Sequence, residues 1–313
     1  MKLFDNKVIL APMAGVTDKA FREVAVKFGV GLTFTEMVSA KGIYYNDKKT
    51  KSLLDIKDEK GRIGAQIFGH EAQIISIAAR CAEECGATLL DINSGCPTPK
   101  VTKNNDGAAL MKNPSLFAEV VSAAASSTKL PVSVKIRKGW SDDNINAVEI
   151  AKIAERCGAS MITVHGRTAA AGYSGKADWS IIKKVVSSVN IPVVGNGDIF
   201  KPHHSKAMLK ETGCAAVMLG RGVLGNPWLI RDTLFVLEGK EPGPPPGLHE
   251  KIEVALWHIG LLVKYKGEYI GIREARKHAM WYIKGIPGSA RVRNLMAKAQ
   301  TYEEMAKCFE LLL

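Results

Sequence analysis

The sequence predicts an α/β fold: a (β/α)8 TIM barrel followed by a small all-helical C-terminal domain. Three observations predict it. Short apolar or β-branched runs alternate with helix-like stretches eight times. Gly-Ala pairs mark returns from helix to strand. A proline- and glycine-rich stretch then separates this pattern from a purely helical tail. Strict alternation of strand and helix implies a parallel sheet, and eight repeats imply a closed barrel.

The runs, in order, are Val8 to Leu10, Leu32 to Thr35, Ile63 to Ile67, Leu89 to Ile92, Val132 to Ile136, Met161 to Val164, Val193 to Val194 and Ala216 to Leu219. Between them, stretches such as Ala72 to Cys85, Ser115 to Ser126, Ala147 to Cys157 and Ile181 to Val189 carry apolar residues at helical spacing. Gly86-Ala87, Gly158-Ala159 and Gly213-Cys214-Ala215 sit where helices should end, which is where glycine is favoured. Pro131 and Pro192 open the fifth and seventh runs, where a missing N–H is tolerated. The barrel pattern stops near Leu237. Residues 238–247, with four prolines and three glycines, read as a linker. The expected division is therefore a catalytic barrel over 1–237, a linker over 238–247 and a helical domain over 248–313.

The chain has 313 residues, 46% of them hydrophobic, which suits a large barrel plus an appendage. No apolar run is long enough to cross a membrane, and the first residues carry no secretory signal. A cytoplasmic monomer is expected, with no membrane partner. The six cysteines form no disulfide framework or metal-binding pattern. The net charge of +12 favours an anionic partner such as nucleic acid.

In barrels of this type the chemistry sits at the C-terminal ends of the strands. Gly195-Asn196-Gly197-Asp198 and Gly220-Arg221-Gly222 follow the seventh and eighth runs, where such barrels build phosphate sites from backbone N–H groups. Arg221 can grip a phosphate. His165 ends the sixth run. Lys135 lies inside the fifth, where an unpaired ammonium is expensive to bury, so an anionic ligand is expected beside it. Cys96 follows the fourth run, fixed between Gly95 and Pro97. A free thiol is mostly protonated at neutral pH and can act as a general acid.

Six segments then resemble one family, the tRNA-dihydrouridine synthases, most closely the B-type bacterial branch. They are Leu10-Ala11-Pro12-Met13-Ala14-Gly15-Val16-Thr17-Asp18, Asp91-Ile92-Asn93-Ser94-Gly95-Cys96-Pro97, Val134-Lys135-Ile136-Arg137, Val164-His165-Gly166-Arg167-Thr168, Gly195-Asn196-Gly197-Asp198-Ile199 and Leu219-Gly220-Arg221-Gly222. The resemblance implies an FMN enzyme that uses NADPH to reduce the C5–C6 bond of uridine in the tRNA D-loop, with hydride to C6 and a proton from Cys96 to C5. It implies that Pro12, Met13 and Ala14 line the flavin ring and that Gln66 hydrogen-bonds it. Lys135 and His165 would contact the flavin, and Asn196, Gly197, Asp198, Gly220 and Arg221 would hold its ribityl phosphate. Asn93 and Arg167 would orient the uracil. No metal is implied.

The helical tail fits an RNA partner. Arg273, Arg276, Lys277 and Lys284 recur at helical spacing with His278 and Trp281 nearby, a mix suited to phosphates and bases. Two departures from the family pattern stand out. Asp106 replaces a small apolar residue, and Ala169-Ala170-Ala171 replaces more polar residues. A flavin barrel acting on free orotate or another small pyrimidine, and an inactive RNA-binding barrel, are the alternatives. The basic tail argues against the first and Cys96 against the second.

Overall fold

The computed structural model describes residues 2–313. Eight parallel strands form the barrel: β1 (Val8–Leu10), β2 (Thr33–Phe34), β3 (Ile63–Phe68), β4 (Leu89–Ser94), β5 (Val132–Arg137), β6 (Met161–His165), β7 (Val193–Asn196) and β8 (Ala216–Leu219). Each pairs with the next from β2 to β8, and β8 pairs with β1. A bridge between Ile9 and Leu32, with the Leu10 N–H donating to the Leu32 carbonyl at 2.9 Å, joins β1 to β2 and completes the ring.

Side-chain alternation sorts the strands into two cores. Ile9, Leu32, Phe34, Leu89, Met161, Val194, Ala216 and Met218 fill the barrel interior. Val8, Leu10, Ile67, Leu90, Ile92, Val134 and Val164 pack outward against the helices. Moving up the inward positions, the residues turn polar: Asp91 then Asn93 on β4, Ser133 then Lys135 on β5, Thr163 then His165 on β6, and Asn196 on β7. One face of each strand therefore builds the floor below and the site above.

The outer helices are Lys19–Lys27, Ala72–Glu84, Pro114–Ser127, Ala147–Arg156, Trp179–Val186, Pro202–Thr212 and Trp228–Leu237. The β2–β3 connection departs from the regular repeat. It holds a short strand, Val38–Ser39, paired with Ile67 and Phe68, and two short helices, Ala40–Tyr44 and Lys48–Ser52. A small antiparallel hairpin, Gly139–Ser141 with Asn144–Ile145, follows β5 and lies outside the eightfold pattern.

Residues 238–247 contain no helix or strand. They run along the last outer helix: the Gly243 N–H donates to Asp232 at 3.3 Å, and the Pro244 carbonyl accepts from Arg231 at 3.4 Å. Three helical segments follow, Leu248–Tyr282, Ser289–Met296 and Tyr302–Glu310. The first is broken at Gly267, whose φ of 73° and ψ of 159° are non-helical. Their apolar core includes Ile259, Leu262, Ala275, Met305 and Phe309, and takes in Ala20, Val24 and Trp228 from the barrel's helices. Lys266 bridges Asp18, at the start of the first barrel helix, and Glu274. The helical tail is thus seated against the barrel at the rim where β1 ends.

Candidate active site

A cavity of about 450 Å3 opens at the C-terminal ends of the strands. Pro12, Met13, Ala14, Asn93, Cys96, Lys135, His165, Arg167, Asn196, Gly197, Asp198, Gly220 and Arg221 all line it. Strand register explains their meeting: Asn93 stands beside Lys135, Arg137 beside His165, and His165 beside Asn196.

Cys96 is held through its backbone. The Asn93 side-chain oxygen accepts the N–H groups of Gly95 (3.2 Å) and Cys96 (2.9 Å). The Asn93 amide nitrogen donates to Gln66 Oε1 at 2.9 Å, and Gln66 Nε2 donates to Asp91 Oδ2 at 2.7 Å. An ionised carboxylate can only accept, so Asp91 fixes which end of Gln66 donates, and Gln66 then fixes Asn93. From the other side, the Ala108 N–H donates to the Cys96 carbonyl at 3.0 Å, and Arg137 Nε to the Gly95 carbonyl at 2.8 Å. Gly107 (φ +59°) lies so close that a Cβ there would meet the Cys96 carbonyl oxygen at 2.8 Å. The Cys96 thiol itself makes one hydrogen bond, to Thr98 Oγ1 at 3.4 Å. Asp106, one of the departures, pairs with His70 at 2.8 Å just ahead of Gly107.

Gln66 does not line the cavity. It is buried one layer lower, and its amide is engaged by Asp91 and Asn93. Burial lifts the Asp91 carboxyl to about 6. A carboxyl raised on folding contributes stability that is present below its unfolded value and is lost as pH rises through its folded one. The wild-type protein should therefore lose stability, relative to Asp91→Asn, as pH rises from about 4 to about 6. The amide introduced by that substitution can still accept from Gln66, and it carries no charge to bury. Thermal unfolding of both proteins across that window checks this, and parallel curves would refute it.

On the strand beside the one that leads into Cys96, Lys135 Nζ donates to Asn196 Oδ1 at 3.3 Å, while Asn196 Nδ2 donates to the Met218 carbonyl at 2.8 Å. Burial, aided by the Arg137 charge, lowers the Lys135 ammonium to about 8. Burial, then Lys135 and Arg137, pushes His165 down to about 2, so its imidazole is neutral at physiological pH.

The far end is cationic. The Arg167 guanidinium donates to both Asp198 oxygens at 2.8 Å and to the carbonyls of Ser174 (3.0 Å) and Gly175 (2.7 Å). Asp198 also accepts the Ala177 N–H and lies 3.6 Å from Arg221. Burial opposes its ionisation, but these partners hold the carboxyl below its ordinary value. Asp198 thereby holds the two arginines in place at this end of the cavity. Arg167 is correspondingly committed to the loop and to Asp198, and its Nη1 is buried without a hydrogen-bond partner.

The structure gives Arg137, which ends β5, a bracing task, and it adds aromatic residues that strand-end reading does not single out. Arg137 ties Gly95, Thr168 and Gly172 together at 2.8 Å each. Tyr173 and Phe200 flank Arg221, with ring centroids 4.3 and 5.6 Å from its guanidinium. Trp281, from the helical tail, lines the cavity. The indole marks the basic face in the sequence, but only the fold brings it to the site.

The tail residues divide. Arg273 is exposed and stacks 3.5 Å from the Tyr269 ring centroid, and Lys284 is exposed. Lys277 reaches back to the β1 loop, its ammonium 3.5 Å from where a Gly15 Cβ would lie. Arg276 is half-buried, and its guanidinium donates twice to the Ala299 carbonyl, at 3.1 and 2.8 Å, which ties the helices together. His278 is buried against His258 and Phe21 rather than displayed. Among the described residues, no group of three or more His, Cys, Asp or Glu side chains is placed to hold a metal, and no helix is long and apolar enough to cross a membrane.

The dihydrouridine synthase family profile matches residues 9–312. A probable tRNA-dihydrouridine synthase of Rickettsia bellii is 41% identical over 295 residues, covering 93% of this chain and 90% of that protein. The tRNA-dihydrouridine synthase B of Pasteurella multocida is 42% identical over 281 residues, covering 90% and 85%. Among solved structures, histamine dehydrogenase from Rhizobium sp. 4-9 superposes with a TM-score of 0.58 at 13% identity, covering 88% of this chain and 49% of that one, a likeness of fold. With a family match across nearly its whole length, this chain belongs to the dihydrouridine synthases.

Proposed function

We propose that this protein is an FMN-dependent tRNA-dihydrouridine synthase that takes its electrons from NADPH and works in the cytoplasm. The observation that carries the proposal is the gathering in one cavity of the Cys96 thiol and the Lys135–Asn196–His165 cluster, with an arginine-rich end beyond it. Residues 1–237 supply the catalytic barrel, 238–247 the linker, and 248–313 the RNA-docking part, through Arg273, Lys277 and Lys284.

The residues fit FMN. The cluster offers an ammonium, a fixed amide and a neutral imidazole to a ring edge that carries carbonyl oxygens. Gly197, Gly220 and Arg221 suit a phosphate, and the unpartnered Arg167 Nη1 is a spare donor at that end. When bound, the flavin supplies the hydride it has received from NADPH. The chain's own residues do the rest. Asn93 and the Gly107 turn fix Cys96, and its thiol delivers a proton to uracil C5. Tyr173, Phe200 and Trp281 narrow the mouth through which a base must leave its stack. The net change is uridine, NADPH and a proton giving dihydrouridine and NADP+.

The direct test is NADPH oxidation by the yellow holoenzyme with unmodified tRNA, with mass spectrometry for a uridine gaining two hydrogens. Oxidation supported by orotate but not by tRNA, or a protein that retains no flavin, would refute the proposal. A linked expectation concerns pH. Lys135 attracts an anionic ligand only while protonated, so FMN affinity of the apoprotein should weaken as pH rises through about 8. The decline can be no steeper than tenfold per pH unit, and it levels off once the ammonium's contribution is lost. The phosphate's own second ionisation, near about 6, is complete by then. Lys135→Met should bind more weakly and flatten the profile; a wild-type profile without a break would exclude Lys135 as the contact.

A further inference from the structure

We propose that the β2–β3 connection carries a second RNA-docking surface on the barrel itself. In it Tyr44 and Tyr45 stack on unpaired bases, and Lys48, Lys49 and Lys51 hold the adjoining phosphates. This rests on the tRNA assignment above and extends it from the helical tail to the adjoining rim of the barrel.

The two tyrosines end the helix Ala40–Tyr44 with 49% and 72% of their surface exposed. Their rings stand edge to face, 5.0 Å apart at 82°. Single exposed apolar side chains are ordinary on a protein surface. A paired aromatic platform beside a run of unopposed charge is not. From Tyr44 to Ser52 there are three lysines and one carboxylate, Asp47. That carboxylate caps the next helix, accepting the Thr50 N–H at 2.7 Å. Lys48, Lys49 and Lys51 are exposed, and none pairs with a carboxylate among the described residues. Lys41, by contrast, is paired with Glu71 at 2.5 Å.

The platform is held in place rather than loose. Asn46 turns the chain at φ 59°, and the Asp47 N–H donates to the Gly42 carbonyl at 2.9 Å. Gly42 packs so tightly on Thr50 that a Cβ there would sit 2.5 Å from its hydroxyl oxygen. The two short helices are therefore clamped into one unit, which lowers the ordering cost of binding.

Its position also suits a long substrate. The Lys41–Glu71 pair ties it to the end of β3, beside the His70–Asp106 pair that precedes the Cys96-backing turn. On its other flank, Ser52, Leu53 and Asp55 share a cavity of about 200 Å3 with Tyr265 and Lys266 of the helical tail. Aromatic faces beside lysines match single-stranded nucleic acid, whose every base offers a π-face and whose every link carries a charge.

The test is binding of an unmodified tRNA transcript to the FMN-loaded enzyme over a salt series. The variants are Tyr44→Ala/Tyr45→Ala, Tyr44→Phe/Tyr45→Phe and Lys48→Gln/Lys49→Gln/Lys51→Gln. The alanine pair should lose roughly tenfold in affinity, while the phenylalanine pair binds like wild type. The glutamine triple should flatten the slope of log Kd against log salt by roughly two units. Flavin absorbance and RNA-free reduction by NADPH should not change, because none of these residues lines the cavity. Wild-type affinity and slope in the alanine and glutamine variants would overturn the proposal and leave the tRNA assignment standing. A wild-type enzyme without salt-dependent tRNA binding would overturn both. A patch that instead governs binding to anionic lipid vesicles, with tRNA affinity untouched, would also overturn it.

Discussion

Replacing Cys96 with alanine is expected to lower uridine reduction by roughly 10²- to 10⁴-fold, the usual contribution of a positioned general acid. Flavin content should not change. The separation follows from how the residue is held: Asn93 and Ala108 grip its N–H and its carbonyl, whereas the thiol contacts only Thr98 Oγ1. Alanine keeps the first two contacts and loses the proton. Stopped-flow measurement divides the cycle. Reduction of the flavin by NADPH should run at the wild-type rate, and its reoxidation by tRNA should stall. Serine in place of cysteine should do little better, because an aliphatic hydroxyl is a far weaker acid than a thiol. Reoxidation by tRNA at near wild-type rate in Cys96→Ala would remove the thiol from the reaction.

The alternation of run and helix located all eight barrel strands, because in a parallel barrel both faces of a strand are covered and the run reads as apolar. The misjudged ends are informative. β4, β5, β6 and β7 each extend one or two residues beyond the apolar run, into Asn93–Ser94, Arg137, His165 and Gly195–Asn196. Those polar residues look like loop, yet they end the strands and include the top inward layer. Their strand character is what gives the site its register. The β2–β3 connection and the hairpin after β5 were not legible, since segments of two to five residues show no periodicity.

Within the site, residue type alone could not tell a cavity wall from the layer that supports it. Gln66 and Asn93 are both buried amides on neighbouring strands, one layer apart in register, and only Asn93 lines the cavity. Arg276 and Arg273 share one basic helix face in the sequence, but the Ala299 carbonyl that captures Arg276 comes from a segment 23 residues away. Trp281 reaches the site from the tail for the same reason: long-range packing decides it. Asp106 disrupts nothing around Cys96. Its carboxylate finds His70, and the turn behind Cys96 is made by backbone.

The second large effect is expected from Arg167→Lys, a substitution that keeps the charge and changes only its shape. Arg167 is 3% exposed and spans three partners with one planar fork: Asp198, the Ser174 carbonyl and the Gly175 carbonyl. A single ammonium cannot reach all three. The loop that carries Tyr173 then loses its anchor, and Asp198, held at φ 58°, loses its bidentate partner. With that carboxylate no longer held on both oxygens, the end of the cavity assigned to phosphate becomes less fixed. A loss of about 2 kcal/mol is reasonable for charged hydrogen bonds of this kind, which is roughly thirtyfold in FMN affinity. Titration of apoprotein with FMN measures it directly. Arg221→Lys should cost less, because Arg221 lies 3.6 Å from Asp198 and its side chain is 37% exposed, where solvent screens the pair. The order of the two variants separates the explanations. If net charge alone held the cofactor, both would bind like wild type, because both conserve it. If the fork's geometry holds it, Arg167→Lys must be the weaker binder, and an Arg167→Lys affinity within about twofold of wild type would exclude Arg167 as the organiser of that end of the site.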